Sequence, residues 1–225
     1  MTRLLADALV VAGKDLRLEL RGRERLVAMS VFAVLTAVVF AFSLDPAVRS
    51  RTVAGAMLWV TLIFAGMLGL GRSFALEKEA DALTGLLLSP LSPAALFLGK
   101  ALANLILLLG VALVAVPVYF LFFGWAVSGS WPGLALVVIL ATTGFVALGT
   151  LFGAVAVHTR LGETLLPVLL LPLLIPVVIF AASATQRLLV GRPLAEVDGS
   201  LRLLLAFDLV TVVVCALLFR YVVEE

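Results

Sequence analysis

Residues 101–123 read ALANLILLLGVALVAVPVYFLFF. A run of this length with no charged side chain crosses a hydrocarbon core about 30 Å thick as a helix, for which roughly 20 apolar residues suffice. Working outward from it, five further runs meet the same test, at 26–44, 53–70, 133–157, 164–184 and 203–219. The expected fold is therefore an all-α membrane protein with six transmembrane helices. Composition agrees: of 225 residues, 64% are hydrophobic and 13% charged, about half the charged share of an ordinary soluble domain. The 26–44 run follows a charged 25-residue segment and precedes Ser43-Leu44-Asp45-Pro46, not a small-residue cleavage site, so it is expected to remain as a helix.

Charge distribution predicts orientation. With the N-terminus inside, the inner segments hold Arg3, Lys14, Arg17, Arg21, Arg23, Arg25, Arg72, Lys78, Lys100, Arg160 and Arg220, eleven of the sixteen basic residues. The outer segments hold Arg49, Arg51, Arg187, Arg192 and Arg202. This excess places both termini in the cytoplasm. The net charge of +2 identifies no partner, and none of the residues calls for a nucleic acid. Cys215 is the single cysteine and lies in the last apolar run, which excludes an internal disulfide and a cysteine-built metal site.

Residues 1–25 are expected to form an amphipathic helix on the cytoplasmic membrane surface, with the six-helix domain occupying 26–225. Leu5, Leu9, Leu16 and Leu20 share one helical face that suits the apolar side of a bilayer, the basic side meeting headgroups. A charged soluble tail is the alternative.

The loop from 72 to 100 is long where the other loops are short. Glu77, Glu79 and Asp81 fall within five residues, followed by Leu83, Gly85-Leu86-Leu87, Ser89-Pro90, Pro93 and Gly99-Lys100. A short helix over 77–88, stopped by Pro90, is expected, with Pro93 opening the next helix at its first turn. Leu83, Leu86 and Leu87 share a face that water disfavours, so either a partner protein or the bilayer surface covers it.

At these residues the sequence resembles the ABC-2 type permeases, in which an acidic residue precedes a Gly-Leu step, a Ser-Pro turn and a Gly-Lys at the start of the third helix. Here those positions are Glu77 or Glu79, Gly85-Leu86, Ser89-Pro90 and Gly99-Lys100. Length, six spans, the charged start and Leu87-Leu88-Ser89-Pro90-Leu91 are similar to one branch, the haem exporter permease of cytochrome c maturation (the CcmB family). The resemblance implies a non-catalytic subunit of a bacterial inner-membrane transporter. Glu77, Glu79, Asp81, Leu83, Gly85, Leu86, Leu87, Pro90 and Lys100 would couple it to a separate ATP-hydrolysing subunit. It further implies two copies of this chain and two ATPases, with a tryptophan-rich haem-handling subunit, a small single-span subunit and a haem chaperone. Haem would be exported, or the loaded chaperone released. An ABC-2 permease for a lipid, drug or polysaccharide is the alternative within the class. A secondary transporter or a structural scaffold is the alternative outside it, and the absence of paired broken helices in two related halves speaks against it.

The residues support the division of labour independently. Gly13-Lys14-Asp15 and Gly99-Lys100-Ala101 lack the first glycine and the Ser or Thr of a phosphate-binding loop. No resident cofactor is expected. His158, at the expected inner end of the fourth helix, is on the wrong side to deliver haem outward, and Met57 and Met67 are read as packing residues.

Within the membrane, Asp208 is expected to face the bundle, about five residues into the last run, with a gating or partner-contacting role set against a hydrogen bond near the outer surface. Pro167, Pro172 and Pro176 predict a kinked or broken fifth helix, and Pro172 and Pro176 a hinge, unless neighbours satisfy the freed carbonyls; Pro117 is a weaker case. Gly149 and Gly153, with Gly144 nearby, and Ala65, Gly69 and Gly71 are read as close-packing surfaces within one subunit or at a dimer interface. Trp125 and Trp131 are read as interfacial anchors.

Overall fold

Ser92 and Pro93 show how local chemistry places the helices. The Ser92 hydroxyl accepts the Ala95 N–H at 3.2 Å, capping the helix that begins at Pro93, where a missing N–H costs nothing. That helix ends at Gly124, whose φ of 60° suits a residue without a Cβ. The computed structural model describes residues 2–44, 51–79, 91–125, 130–158 and 162–223. The helices are α1 (Thr2–Gly22), α2 (Glu24–Ser43), α3 (Arg51–Glu79), α4 (Pro93–Phe123), α5 (Trp131–His158), α6 (Gly162–Leu189) and α7 (Leu194–Val223).

Six of the seven, α2 to α7, are long and apolar enough to cross a membrane. The central ones are α5 and α3, with 72% and 67% of their apolar windows buried, against 22–33% for the other four. Glycine and alanine explain the position of α5. A Cβ at Gly149 would overlap Leu70 of α3, and one at Gly144 would meet Asp208 and Phe207 of α7. Gly153 is buried on the same helix, so these small residues admit neighbours from within the chain. Gly66 likewise leaves room for the Phe145 ring, and Gly69 for Met29.

The bundle differs from the sequence expectation in several places. The third and sixth spans start earlier than 101 and 203, at Pro93 and Leu194. Apolar runs end at a charge, whereas helical hydrogen bonding continues to the next proline or glycine. Arg202, expected in an outer loop, lies inside α7 and pairs with Asp198 one turn away at 2.6 Å.

Helix α6 is one continuous element through Pro167, Pro172 and Pro176, not a broken one. Pro172 and Pro176 both point outward, opposite the buried line of Leu170, Leu174, Val177 and Ala181. Their missing donors thus fall on the outer surface and leave the packed face intact.

Trp125 is buried against Tyr119 and Phe120, so it belongs to the core and is no interfacial anchor. Trp131 is exposed and stacks on Phe120.

Finally, Asp208 is the fifteenth of the thirty residues of α7, at mid-helix and far from the outer surface.

Two polar pairs cross the apolar core. Trp59 Nε1 donates to Thr185 Oγ1 at 3.0 Å, joining α3 to α6, and Thr61 shares a 2.7 Å hydrogen bond with Tyr119, joining α3 to α4. Tyr119→Phe strands a buried Thr61 hydroxyl. The expected loss is about 1 kcal/mol, seen as a lower thermal midpoint in detergent.

Candidate functional site

The segment expected to lie flat on the membrane has three faces. Leu5, Leu9 and Leu20 are exposed, and Leu16 is half-buried. Arg3, Arg17 and Arg21 lie on a second exposed side. The third carries Ala8, Val11, Ala12 and Glu19, all buried, and α1 packs through it against α4. A leucine stripe beside a basic stripe suits a bilayer surface; the small-residue face is a protein contact.

Gly99 makes that contact possible. A Cβ there would lie 2.6 Å from the Ala8 carbonyl oxygen and 2.6 Å from Val11 Cβ. The next residue, Lys100, is 1% exposed, and its ammonium donates to Asp15 Oδ2 at 3.4 Å. The other oxygen of Asp15 faces Lys14 at 3.0 Å. The Gly-Lys pair that opens the third span thus admits α1 with the glycine and fastens it with the lysine.

One turn further along α1, Glu19 does the same for α2. Its Oε2 accepts Arg25 Nε at 3.1 Å, and its Oε1 accepts the Leu26 N–H at 2.9 Å. Arg23 connects the two helices with φ 56° and gives α2 no side-chain cap, so the carboxylate of Glu19 satisfies a first-turn donor and complements the positive end of α2. Arg25 continues inward, donating to Asn104 Oδ1 at 3.2 Å and to the Gly69 carbonyl at 3.5 Å. Asn104 passes the chain on, donating to Thr150 Oγ1 at 3.2 Å. The result is a buried polar line from α1 through α2, α3 and α4 to the central α5. A small cavity bounded by Arg25, Met29, Gly66, Gly69 and Asn104 lies along it.

Of the predicted coupling residues, Lys100 is the one whose surroundings are defined, and it faces α1, not the outside. Glu77 and Glu79 have their backbones in the last turn of α3, so the helix of the second span extends to Glu79; the rest of the expected 77–88 helix lies outside the described residues. Asp81, Leu83, Gly85, Leu86, Leu87 and Pro90 lie outside the described residues. His158 ends α5.

The sequence reading missed Asp15, Glu19, Asn104 and Thr150, and counted Arg25 only as an inner charge. One signal was available. Asp15 and Glu19 stand four apart on the face of Ala8, Val11 and Ala12, an acidic pair on the small-residue side of this segment, away from the arginines.

Six long apolar helices with α5 at their centre, and a seventh clamped to one end, define among the described residues a multi-pass membrane protein. The family model described as "CcmB protein" matches residues 6–224. The chain belongs to the CcmB family. Curated relatives named heme exporter protein B include those of Rhodobacter capsulatus, 32% identical over 83% of this chain and 87% of that protein, and Paracoccus denitrificans, 36% identical over 77% and 80%. The relative from Pseudomonas aeruginosa is 31% identical over 82% of each.

Proposed function

We propose that this chain is the membrane-spanning permease subunit of an ABC transporter complex that serves haem export, or the ATP-driven release of a haem-loaded chaperone, in cytochrome c biogenesis. The observation that carries the proposal is the near full-length match to heme exporter B proteins on a six-span bundle. ATP hydrolysis belongs to a separate partner chain, since neither Gly-Lys pair has the residues of a phosphate loop. Haem is cargo here, and the chain needs no resident cofactor. The complex lies in the bacterial inner membrane with both termini of this chain cytoplasmic. It holds two copies of the chain, a tryptophan-rich haem-handling subunit and a small single-span subunit, and works with a haem chaperone.

On this reading the 72–100 segment docks the ATPase through Glu77, Glu79, Asp81, Leu83, Gly85, Leu86, Leu87 and Pro90. The ion pair of Lys100 with Asp15 ties the start of α4 to α1.

Affinity purification of the tagged chain in mild detergent tests the proposal. An ATPase subunit and a tryptophan-rich haem-handling protein are expected to co-purify. Glu77→Lys and Gly85→Pro are expected to lose the ATPase at least about tenfold, as reversing a contact charge or blocking a helix costs more than about 1.4 kcal/mol. Membrane insertion stays intact. Recovery of no ATPase with the unmodified chain would refute the assignment.

A further inference from the structure

Asp208 is 4% exposed, and among the described residues no side chain donates to its carboxyl oxygens; the Gly144 backbone is the one polar group beside them. The other buried charged groups of the bundle are served: Glu19 by Arg25 and Leu26, Lys100 by Asp15. A buried polar group without a partner is a costly exception in any protein, and more so where no water is at hand. The neighbouring hydroxyls do not relieve it. Thr211 donates to the Phe207 carbonyl at 2.6 Å, Thr142 to Val138 at 2.6 Å and Thr143 to Ile139 at 2.8 Å, each within its own helix.

The carboxyl is pressed against Gly144 of α5, where a Cβ would collide with it. It lies on the inward line of α7 formed by Leu204, Asp208, Thr211, Cys215 and Phe219. Toward the α1 end, Cys215 and Phe219 pack with Ala147, Leu151 and Ala154 of α5. Gly144, Ala147 and Ala154 make one side of this seam from small side chains, which brings the two helices close together.

We infer that the seam between α5 and α7 opens during the transport cycle and admits water to Asp208, making this carboxyl the polar site of a gate. The described arrangement is the closed state, in which no side chain donates to Asp208; opening supplies water donors. The inference rests on the permease reading above, which gives the cycle its source of energy.

The test uses Cys215, the single cysteine of the chain, buried in the closed seam two turns from Asp208. A buried thiol in apolar surroundings is inert, and wetting makes it reactive. With the purified complex, N-ethylmaleimide labelling of this chain is followed with and without ATP, with Cys215→Ala as the blank. If a minor open state of about 1% becomes about 10% populated in turnover, labelling accelerates about tenfold. Asp208→Leu, which removes the need for donors, is expected to abolish the acceleration and to raise the thermal midpoint while the ATPase chain stays bound.

Equal labelling rates with and without ATP, in material that contains the ATPase chain, would overturn the gate. So would an Asp208→Leu variant that labels as the unmodified chain does. Absence of the ATPase chain would remove the permease reading itself, and with it the energy source that the gate requires.

Discussion

Arg25→Ala is expected to lower the stability of the bundle by about 3–5 kcal/mol, the range for breaking a buried ion pair while leaving its partner behind. Three partners lose a donor at once: Glu19, Asn104 and the Gly69 carbonyl. Glu19 is the most exposed to the loss, because its carboxylate is itself buried and among the described residues keeps the Leu26 N–H alone. A double-mutant cycle separates the network from its parts. Glu19→Ala in the Arg25→Ala background is expected to cost much less than alone, with a coupling energy of about 1–3 kcal/mol. Thermal unfolding in detergent measures each corner of the cycle. Additive losses would show that Glu19 and Arg25 act independently, and that α1 is held by its apolar face alone.

Gly99→Leu is expected to expel α1 from α4. A Cβ at Gly99 meets a backbone carbonyl oxygen, that of Ala8, together with Val11 Cβ; neither can turn aside as a flexible side chain can. Helix α1 must therefore shift, and Lys100 then loses Asp15 inside a site where it is 1% exposed. The overpacking puts the loss at about 1–3 kcal/mol. Tryptic cleavage at Arg17 and Arg21, slow while α1 is docked, is expected to accelerate in the variant. Gly71→Ala is the control. Nothing lies within 4 Å of its Cβ position, so the added methyl is expected to stabilise α3 by about 0.4–1 kcal/mol. If Gly99→Leu and Gly71→Ala behaved alike, close approach of α1 would not be what Gly99 provides.

These two expectations concern different parts of one device. The Gly99-Lys100 step and the Glu19-Arg25 pair both bind α1 to the bundle at the end where the 72–100 segment re-enters it. In the proposed complex, motion delivered to that segment reaches α4 directly and reaches α1 through Lys100 and Asp15. From α1 it passes through Glu19, Arg25, Asn104 and Thr150 to the central helix. The buried line is continuous in hydrogen bonds, while its surroundings are apolar and gain little from small displacements. Polar networks of this kind favour discrete arrangements because each half-made state leaves groups unpaired.

Six spans were legible in the residues alone, because length and hydropathy answer directly to bilayer thickness. The amphipathic start could be read from the spacing of Leu5, Leu9, Leu16 and Leu20, and Ser92-Pro93 marked the opening of α4 as any cap does. Tertiary structure decided which side chains share the interior. Hydropathy cannot tell a helix facing lipid from one facing protein, since both surfaces are equally apolar; only packing made α5 central and turned Pro172 and Pro176 outward. Nor can it tell where a charge finds its partner. Lys100 looked like a contact for another chain until Asp15, 85 residues earlier, was found beside it. Arg25 was a topogenic charge until Asn104 and Gly69 closed round it. Asp208 moved from the edge of a run to the middle of a helix once α7 was seen to start at Leu194. Local chemistry along the chain determines which segments become helices and which enter the membrane. The pairing of buried charges depends on residues brought together from far apart, and only the folded bundle contains that information.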